Sequence, residues 1–300
     1  MEPIGIVTDS HSSITQKEAA ELGVMVLPMP FYFDEECYYE GTTLSREEFF
    51  EKLDSGKKVS TSQPAPAEVM KIWDSALEKF EQILYMPISS GLSGSCSAAF
   101  VIAQEQKYKG RVHVVDNGRV STPMHRSILD ALELIEEGYT ALEIKQILED
   151  EKEKMVIYIG VETLEYLKQG GRITPATALL GTVLHIKPVL KLDIGTLDTF
   201  QKCRGFIKAR KTMIEAMQQD LNTTFQEAYQ KNEVYLLAAS SASEEITKEW
   251  VEEIKEAFPG MEVMCDNLSL GVSCHTGKGA LGIGCSCKPK RPKKNTEYLS

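Results

Sequence analysis

Through about residue 153, short apolar runs alternate with longer segments in which apolar residues recur at helical spacing. This pattern predicts βα units around a largely parallel sheet. Residues 4–7 form the first predicted strand, which ends at Thr8-Asp9-Ser10. A helix near 15–22 and an extended segment at 24–27 follow, then an irregular stretch at 31–43 rich in aromatic and acidic residues. Ser45 and Glu48 have the spacing at which each side chain satisfies the other's backbone N–H, so a helix is predicted over 46–53. After Pro64 and Pro66, Val69, Trp73, Leu77 and Phe80 make one apolar helical stripe. Residues 83–88 read as a buried strand, 89–95 as a small-residue turn, 98–106 as a helix and 112–115 as a strand. Helices at 126–136 and 141–151 complete this half.

The pattern restarts at Met155, with a strand over 155–161, a helix through Lys168, the turn Gly170-Gly171-Arg172 and an apolar stretch over 176–190. Gly195 falls between two extended segments and predicts a hairpin; a helix at 207–220, a strand at 234–239, a helix at 244–258 and late strands follow. Hairpins mixed with helices make this half α+β. The expected organisation is an α/β domain over 1–153, an α+β domain over 154–287 and a basic, flexible tail over 288–300.

Charge narrows the partners. Lys and Arg number 33 against 44 Asp and Glu, and a net charge of -11 repels phosphodiester backbones, so nucleic-acid binding is not expected. The N-terminus lacks the basic flank and apolar core of a secretory signal, and no apolar run approaches a bilayer span. Seven cysteines, an odd number, are expected to be free thiols in a reducing cytoplasm. The cations of residues 288–294 suit a transient contact with anionic lipid.

The strongest local chemistry is Ser89-Ser90-Gly91-Leu92-Ser93-Gly94-Ser95, between a predicted strand and helix at the carboxyl end of a parallel sheet, where open α/β folds bind ligands. Hydroxyls, first-turn N–H groups and glycines there suit an anion, although a capped turn has the same composition. Ser60-Thr61-Ser62-Gln63-Pro64 is a second hydroxyl cluster leading into a helix. Arg172 sets a permanent cation in a glycine turn, and His275 lies among glycines in Cys274-His275-Thr276-Gly277.

In order and spacing, Asp9-Ser10, Thr61-Ser62-Gln63-Pro64, Ser89-Ser90-Gly91-Leu92-Ser93-Gly94, Leu164-Glu165-Tyr166-Leu167 with Gly170-Gly171-Arg172-Ile173, Ile186-Lys187-Pro188-Val189-Leu190 and His275-Thr276-Gly277 resemble the DegV family. That resemblance implies a two-domain fold with a long-chain fatty acid held between and within the domains. It further implies an acyl-carrying subunit, not itself an enzyme, whose partner is a bacterial fatty acid kinase. Thr61 and Ser93, with neighbouring Ser62 and Gly94, would hold the carboxyl group. Arg172, Arg204 and His275 would sit near it or meet the kinase, and Leu179, Leu180, Val183 and Leu184 would line the acyl tunnel. No cofactor or metal is implied. The chain departs from the family at Asp116-Asn117-Gly118-Arg119-Val120-Ser121, where Asp-Ser usually opens the loop, and at Cys274 and Lys278, which flank His275 where small residues or proline are more usual.

Other readings stand beside this one. Gly91-Leu92-Ser93-Gly94 between strand and helix is close to a hydrolase nucleophile elbow, with Ser95 in place of the last glycine. Cys274, His275, Cys285 and Cys287 are soft ligands near one another in sequence, without a paired C-x-x-C knuckle. A lipid sensor would share every carrier motif. The resemblance implies that ATP belongs to the partner, and the lack of a G-x-x-x-x-G-K-[ST] phosphate loop in the chain is consistent with that.

Overall fold

The computed structural model describes residues 4–178, 186–192, 195 and 197–292; strands and helices are numbered in chain order. The apolar runs of the first half form a parallel sheet in the order β2-β1-β6-β7, made of β1 (Ile4–Asp9), β2 (Met25–Leu27), β6 (Gln82–Met86) and β7 (Val112–Val114). β1 and β6 are buried almost throughout because helices cover both faces, which is why they read as unbroken apolar runs. On one face, α3 (Pro66–Leu77) and α4 (Ser95–Ile102) pack Trp73 edge-on against Tyr85 and Tyr108. On the other lie α5 (Ser121–Glu136) and α6 (Ala141–Asp150), the latter started by a Thr140–Glu143 capping box. Thr15 caps α1 (Gln16–Leu22), which ends at Gly23, a glycine with φ +70°.

The irregular stretch expected at 31–43 is instead ordered. β3 (Pro30–Phe33) and β4 (Glu36–Tyr39) form a hairpin, and β5 (Val59–Thr61) completes an antiparallel sheet in the order β4-β3-β5. Phe31 and Phe33 face inward while Tyr32 is half-buried, but the strands are too short for that alternation to stand out. Asp34 turns the hairpin with φ +56°. The predicted capping box at Ser45 and Glu48 is present and starts α2 (Arg46–Asp54), an arrangement worth about 0.5–2 kcal/mol. Two more predicted boundaries move: α4 begins at Ser95 and α5 at Ser121.

The second half is a mixed sheet in the order β10-β9-β8-β13-β11-β12, antiparallel except for the parallel pair β11 and β12. Its strands are β8 (Met155–Gly160), β9 (Ile186–Leu192), β10 (Leu197–Arg204), β11 (Val234–Ser240), β12 (Val263–Asn267) and β13 (Leu281–Cys287). Its outer face packs on α9 (Phe206–Asn222) and α11 (Glu244–Ala257), with α10 (Gln226–Gln230) alongside, around Trp250, Met213 and Met217. α7 (Glu165–Gly170) leads to α8 (Pro175–Ala178), and α12 (Leu270–Thr276) packs Leu270 and Cys274 against Phe31 and Phe49 of the small sheet.

The two halves share one core. Ile6, Leu84, Met124 and Ile128 of the first meet Ile159, Leu190, Leu192 and Ala280 of the second. Polar ties cross the same boundary: Arg46 donates to the Leu268 carbonyl at 2.8 Å, Thr122 to the Ala238 carbonyl at 2.7 Å, and His125 lies 3.1 Å from Asp266. The tail expected to be free from residue 288 is held over 288–292. The Lys288 N–H donates to Glu233, Arg291 pairs with Glu133 and Glu137, and the Pro292 carbonyl accepts from Tyr139. The negative charge of α5 supplies the partners that the run of cations lacks within itself. Residues 293–300 lie outside the described residues. Among the described residues no helix is long and apolar enough to cross a membrane.

Candidate functional site

A cavity opens between the inner face of the mixed sheet and the loops of the first half, lined by Thr61, Ser62, Ser93, Arg172 and His275 at its polar part and by Ile157, Ile159, Leu192, Leu237 and Leu268 elsewhere. The space open to the centre of a water-sized sphere is ≈ 120 Å³, whereas one water needs roughly 10–15 Å³. An apolar wall of this extent holds water poorly and hydrocarbon well.

Thr61 closes β5, and its Oγ1 lies 2.9 Å from His275 Nε2. His275 sits in the last turn of α12, not in a loop; the glycine that follows, Gly277 at φ +74°, ends that helix. Its other ring nitrogen, Nδ1, is buried and meets no hydrogen-bonding partner among the described residues. The ring can lie there because Gly170 has no side chain: a Cβ at that position would stand 2.0 Å from Nδ1. Burial, reinforced by the charges of Arg172 and His11, pushes the His275 pKa down to about 3, so the imidazole is neutral near pH 7.

Gly171, with φ +66°, ends α7 and turns the chain so that Arg172 Nε donates to the Leu92 carbonyl at 3.2 Å and Nη1 donates to the Gly170 carbonyl. The arginine therefore ties α7 to the serine loop while standing in the cavity wall. The loop is fixed elsewhere by backbone and side-chain hydrogen bonds. The Ser89 N–H donates to the Arg119 carbonyl at 2.9 Å, Ser90 Oγ donates to Asp116 at 2.5 Å, and Ser93 Oγ accepts from the Ser95 N–H at 3.2 Å. Gly91 touches Gly195 backbone to backbone, and a Cβ on Gly91 would lie 2.0 Å from the Gly195 Cα.

Thr61, Ser62, Ser93, Arg172 and His275 thus line one cavity. Gly94 lies outside the lining, exposed before α4 and beside Gln63. Arg204 is exposed at the end of β10 and is also outside the lining. Leu179, Leu180, Val183 and Leu184 lie outside the described residues. Ser93 Oγ makes no hydrogen bond to His275 among the described residues, whose imidazole is engaged with Thr61. Cys274 and Cys285 belong to different cores, and no described group of three or more His, Cys, Asp or Glu is placed to hold a metal ion.

Sequence reasoning missed His11, Ser121 and Thr122 in the polar lining. His11 is oriented by Asp9, which is fully buried and accepts from the His11 N–H at 2.9 Å, from the Ile88 N–H at 2.9 Å and faces His11 Nδ1 at 3.0 Å. The Asp9-Ser10 pair at the end of a buried strand was the available signal. Gly271 gives His11 room, since a Cβ there would lie 2.8 Å from its Nε2. Nearby, the Glu40 carboxyl accepts from the Leu270 N–H, while its buried Oε2 has no partner among the described residues; burial pushes its pKa up to about 7.

The family model described as DegV, an uncharacterised protein family, matches residues 3–288. A DegV domain-containing protein of Deinococcus radiodurans is 38% identical over 213 residues, spanning 71% of this chain and 75% of its own. The structure of a fatty-acid-binding DegV family protein from Thermus thermophilus superposes with a TM-score of 0.82 at 31% identity, covering 95% of this chain and 99% of that one. DegV from Bacillus subtilis, described as a fatty acid binding protein, gives a TM-score of 0.81 at 26% identity over 96% of this chain and 100% of its own. The chain belongs to the DegV family.

Proposed function

We propose that this chain binds one long-chain fatty acid, with the hydrocarbon on the apolar wall of the cavity and the carboxyl group at Thr61 and Ser93. The observation that carries this reading is the segregation of the lining: hydroxyl, imidazole and guanidinium groups gather on the loops and helix ends, while the sheet face is aliphatic. Fatty acid binding by the relatives from Thermus thermophilus and Bacillus subtilis supports it. Burying ~15 methylenes at about 0.8 kcal/mol each supplies on the order of 10 kcal/mol, so the tail provides the affinity. The carboxylate loses hydration on entry, and the two hydroxyls replace part of it and fix the orientation.

In this reading the chain is a cytoplasmic carrier that does no chemistry alone. A separate ATP-dependent fatty acid kinase docks near Arg172, Arg204 and His275, phosphorylates the presented carboxylate, and leaves an acyl phosphate shielded from water. A neutral His275 donates or accepts a hydrogen bond at the carboxyl end without adding a cation, and Arg172 supplies the charge. The basic tail touches anionic membrane during exchange.

Mass spectrometry of the native protein and of its organic extract tests the binding step, with near-stoichiometric acyl mass expected. An empty protein that also refuses added fatty acid would end the proposal. The kinase step is tested separately: the chain alone should leave ATP intact in the presence of fatty acid, and turnover by the chain alone would contradict the carrier role.

A further inference from the structure

On the inner face of the mixed sheet, β13 is bare. Gly282 and Gly284 lie on the same side as neighbours two residues apart and line the cavity, while the side chains of Leu281, Ile283 and Cys285 belong to the outer core. Register sets their flanks. Gly282 lies between Ile159 of β8 and Ala239 of β11, and Gly284 between Ile157 and Leu237. The result is a furrow one strand wide, floored by backbone and walled by Ile157 and Ile159 on one side and Leu237 and Ala239 on the other. All six residues line the cavity.

The floor is firm. Trp250, fully buried on the outer face, donates its Nε1 hydrogen to the Gly282 carbonyl at 2.9 Å. The furrow is set apart from Arg172, whose carbonyl accepts from Leu197 on β10, the edge strand, β13 being the third strand inward from it, about 14 Å across the sheet; on the β11 side Thr122 reaches the Ala238 carbonyl. The backbone N–H and C=O groups of β13 serve the β8 and β11 ladders, so it offers an incoming ligand only hydrocarbon contacts.

We infer that this furrow receives the end of the acyl chain away from the carboxyl, and that the missing side chains of Gly282 and Gly284 set how long a chain the protein accepts. This rests on the fatty-acid reading above. The two glycines differ in how readily they can be filled. A Cβ at Gly282 would meet its nearest neighbour, the Tyr158 carbonyl, at 3.6 Å, an ordinary contact. A Cβ at Gly284 would stand 2.9 Å from the Val156 carbonyl and 3.2 Å from Ile157 Cγ1, so bulk there strains the sheet. Position 282 is therefore the place to shorten the tunnel without disturbing the strand.

The test uses the full chain, delipidated and then offered laurate, myristate, palmitate and stearate, with affinities read by native mass spectrometry and thermal melts as a folding check. Each methylene excluded from the furrow removes about 0.8 kcal/mol, close to a fourfold change in affinity. Gly282→Val, displacing roughly two methylenes, should lower the palmitate-to-laurate affinity ratio by about tenfold or more while laurate binding is retained. Gly282→Ala should shift the ratio in the same direction by about fourfold, and it keeps the test available should the valine variant fold poorly. An unchanged ratio in a folded Gly282→Ala variant would overturn the inference with fatty acid binding intact. A parent protein that binds none of the four acids would instead overturn the reading beneath it.

Discussion

Gly170→Ala probes the contact on which the polar part of the cavity depends. The new Cβ would stand 2.0 Å from His275 Nδ1 and 2.5 Å from Cε1, against the ~3.5–4.0 Å at which carbon atoms normally rest. The imidazole must retreat by more than about 1 Å, which takes the Thr61 to His275 hydrogen bond from 2.9 Å past the ~3.5 Å at which it ceases to count. Losing that bond costs about 1 kcal/mol and the crowding about 1–3 kcal/mol, so the melting temperature should fall on the order of 5 °C or more. Fatty acid affinity should drop about tenfold as Thr61 loses its fixed rotamer. Gly171→Ala is the matched control: at φ +66° it meets nothing within 4 Å, so it carries only a backbone penalty of about 1–2 kcal/mol. Thermal melts and fatty acid titrations of both variants decide the point. If Gly170→Ala bound fatty acid as tightly as Gly171→Ala, the Gly170–His275 packing would not be what positions Thr61.

Thr61→Ala and Ser93→Ala should each weaken binding by about 1–3 kcal/mol with the fold intact; parent-like titrations from both would remove them from the carboxyl site. The pH dependence of stability should carry two opposed contributions. His275, depressed from 6.5 to about 3, lets the unfolded chain take up a proton that the folded chain refuses, so its contribution is complete above the higher value and lost as pH falls toward the lower. Glu40, raised from 4.5 to about 7, holds a proton that the unfolded chain releases, so its contribution is lost as pH rises through that window. Denaturant titrations across this range should show His275→Gln flattening the acid limb and Glu40→Gln gaining on the parent at alkaline pH; variants that track the parent would refute both assignments. Gly91→Ala forces two backbones apart at Gly195, and bound fatty acid should transfer faster to acceptor vesicles; an unchanged transfer rate would mean that this contact does not restrain exchange.

Much of the fold is legible in the sequence because its elements carry strong periodic or capping signals. β1 and β6 carry short, buried apolar runs, and α2 has its box at Ser45 and Glu48. The small sheet was not legible, since β5 is three residues long and its partner lies far along the chain. Thr61, Ser93, Arg172 and His275 stood out as polar residues beside glycines or prolines. The aliphatic wall did not, because Ile157 and Leu237 read the same in sequence whether they face packed core or open cavity. The short helix α12 that carries His275 was not assigned from the sequence, because Gly277 and Gly279 mask it.

The cavity opens into a core that belongs to both halves of the chain. An occupant there would be structural material, and removing it would leave a void whose lining loses its dispersion contacts. A ligand at one hundred times its dissociation constant adds about 2.7 kcal/mol to the folded state, a large share of the roughly 5–15 kcal/mol that separates folded from unfolded protein. On the fatty-acid reading, lipid supply and protein lifetime would be coupled, and in lean conditions a protease that samples opened chains would thin the empty population first.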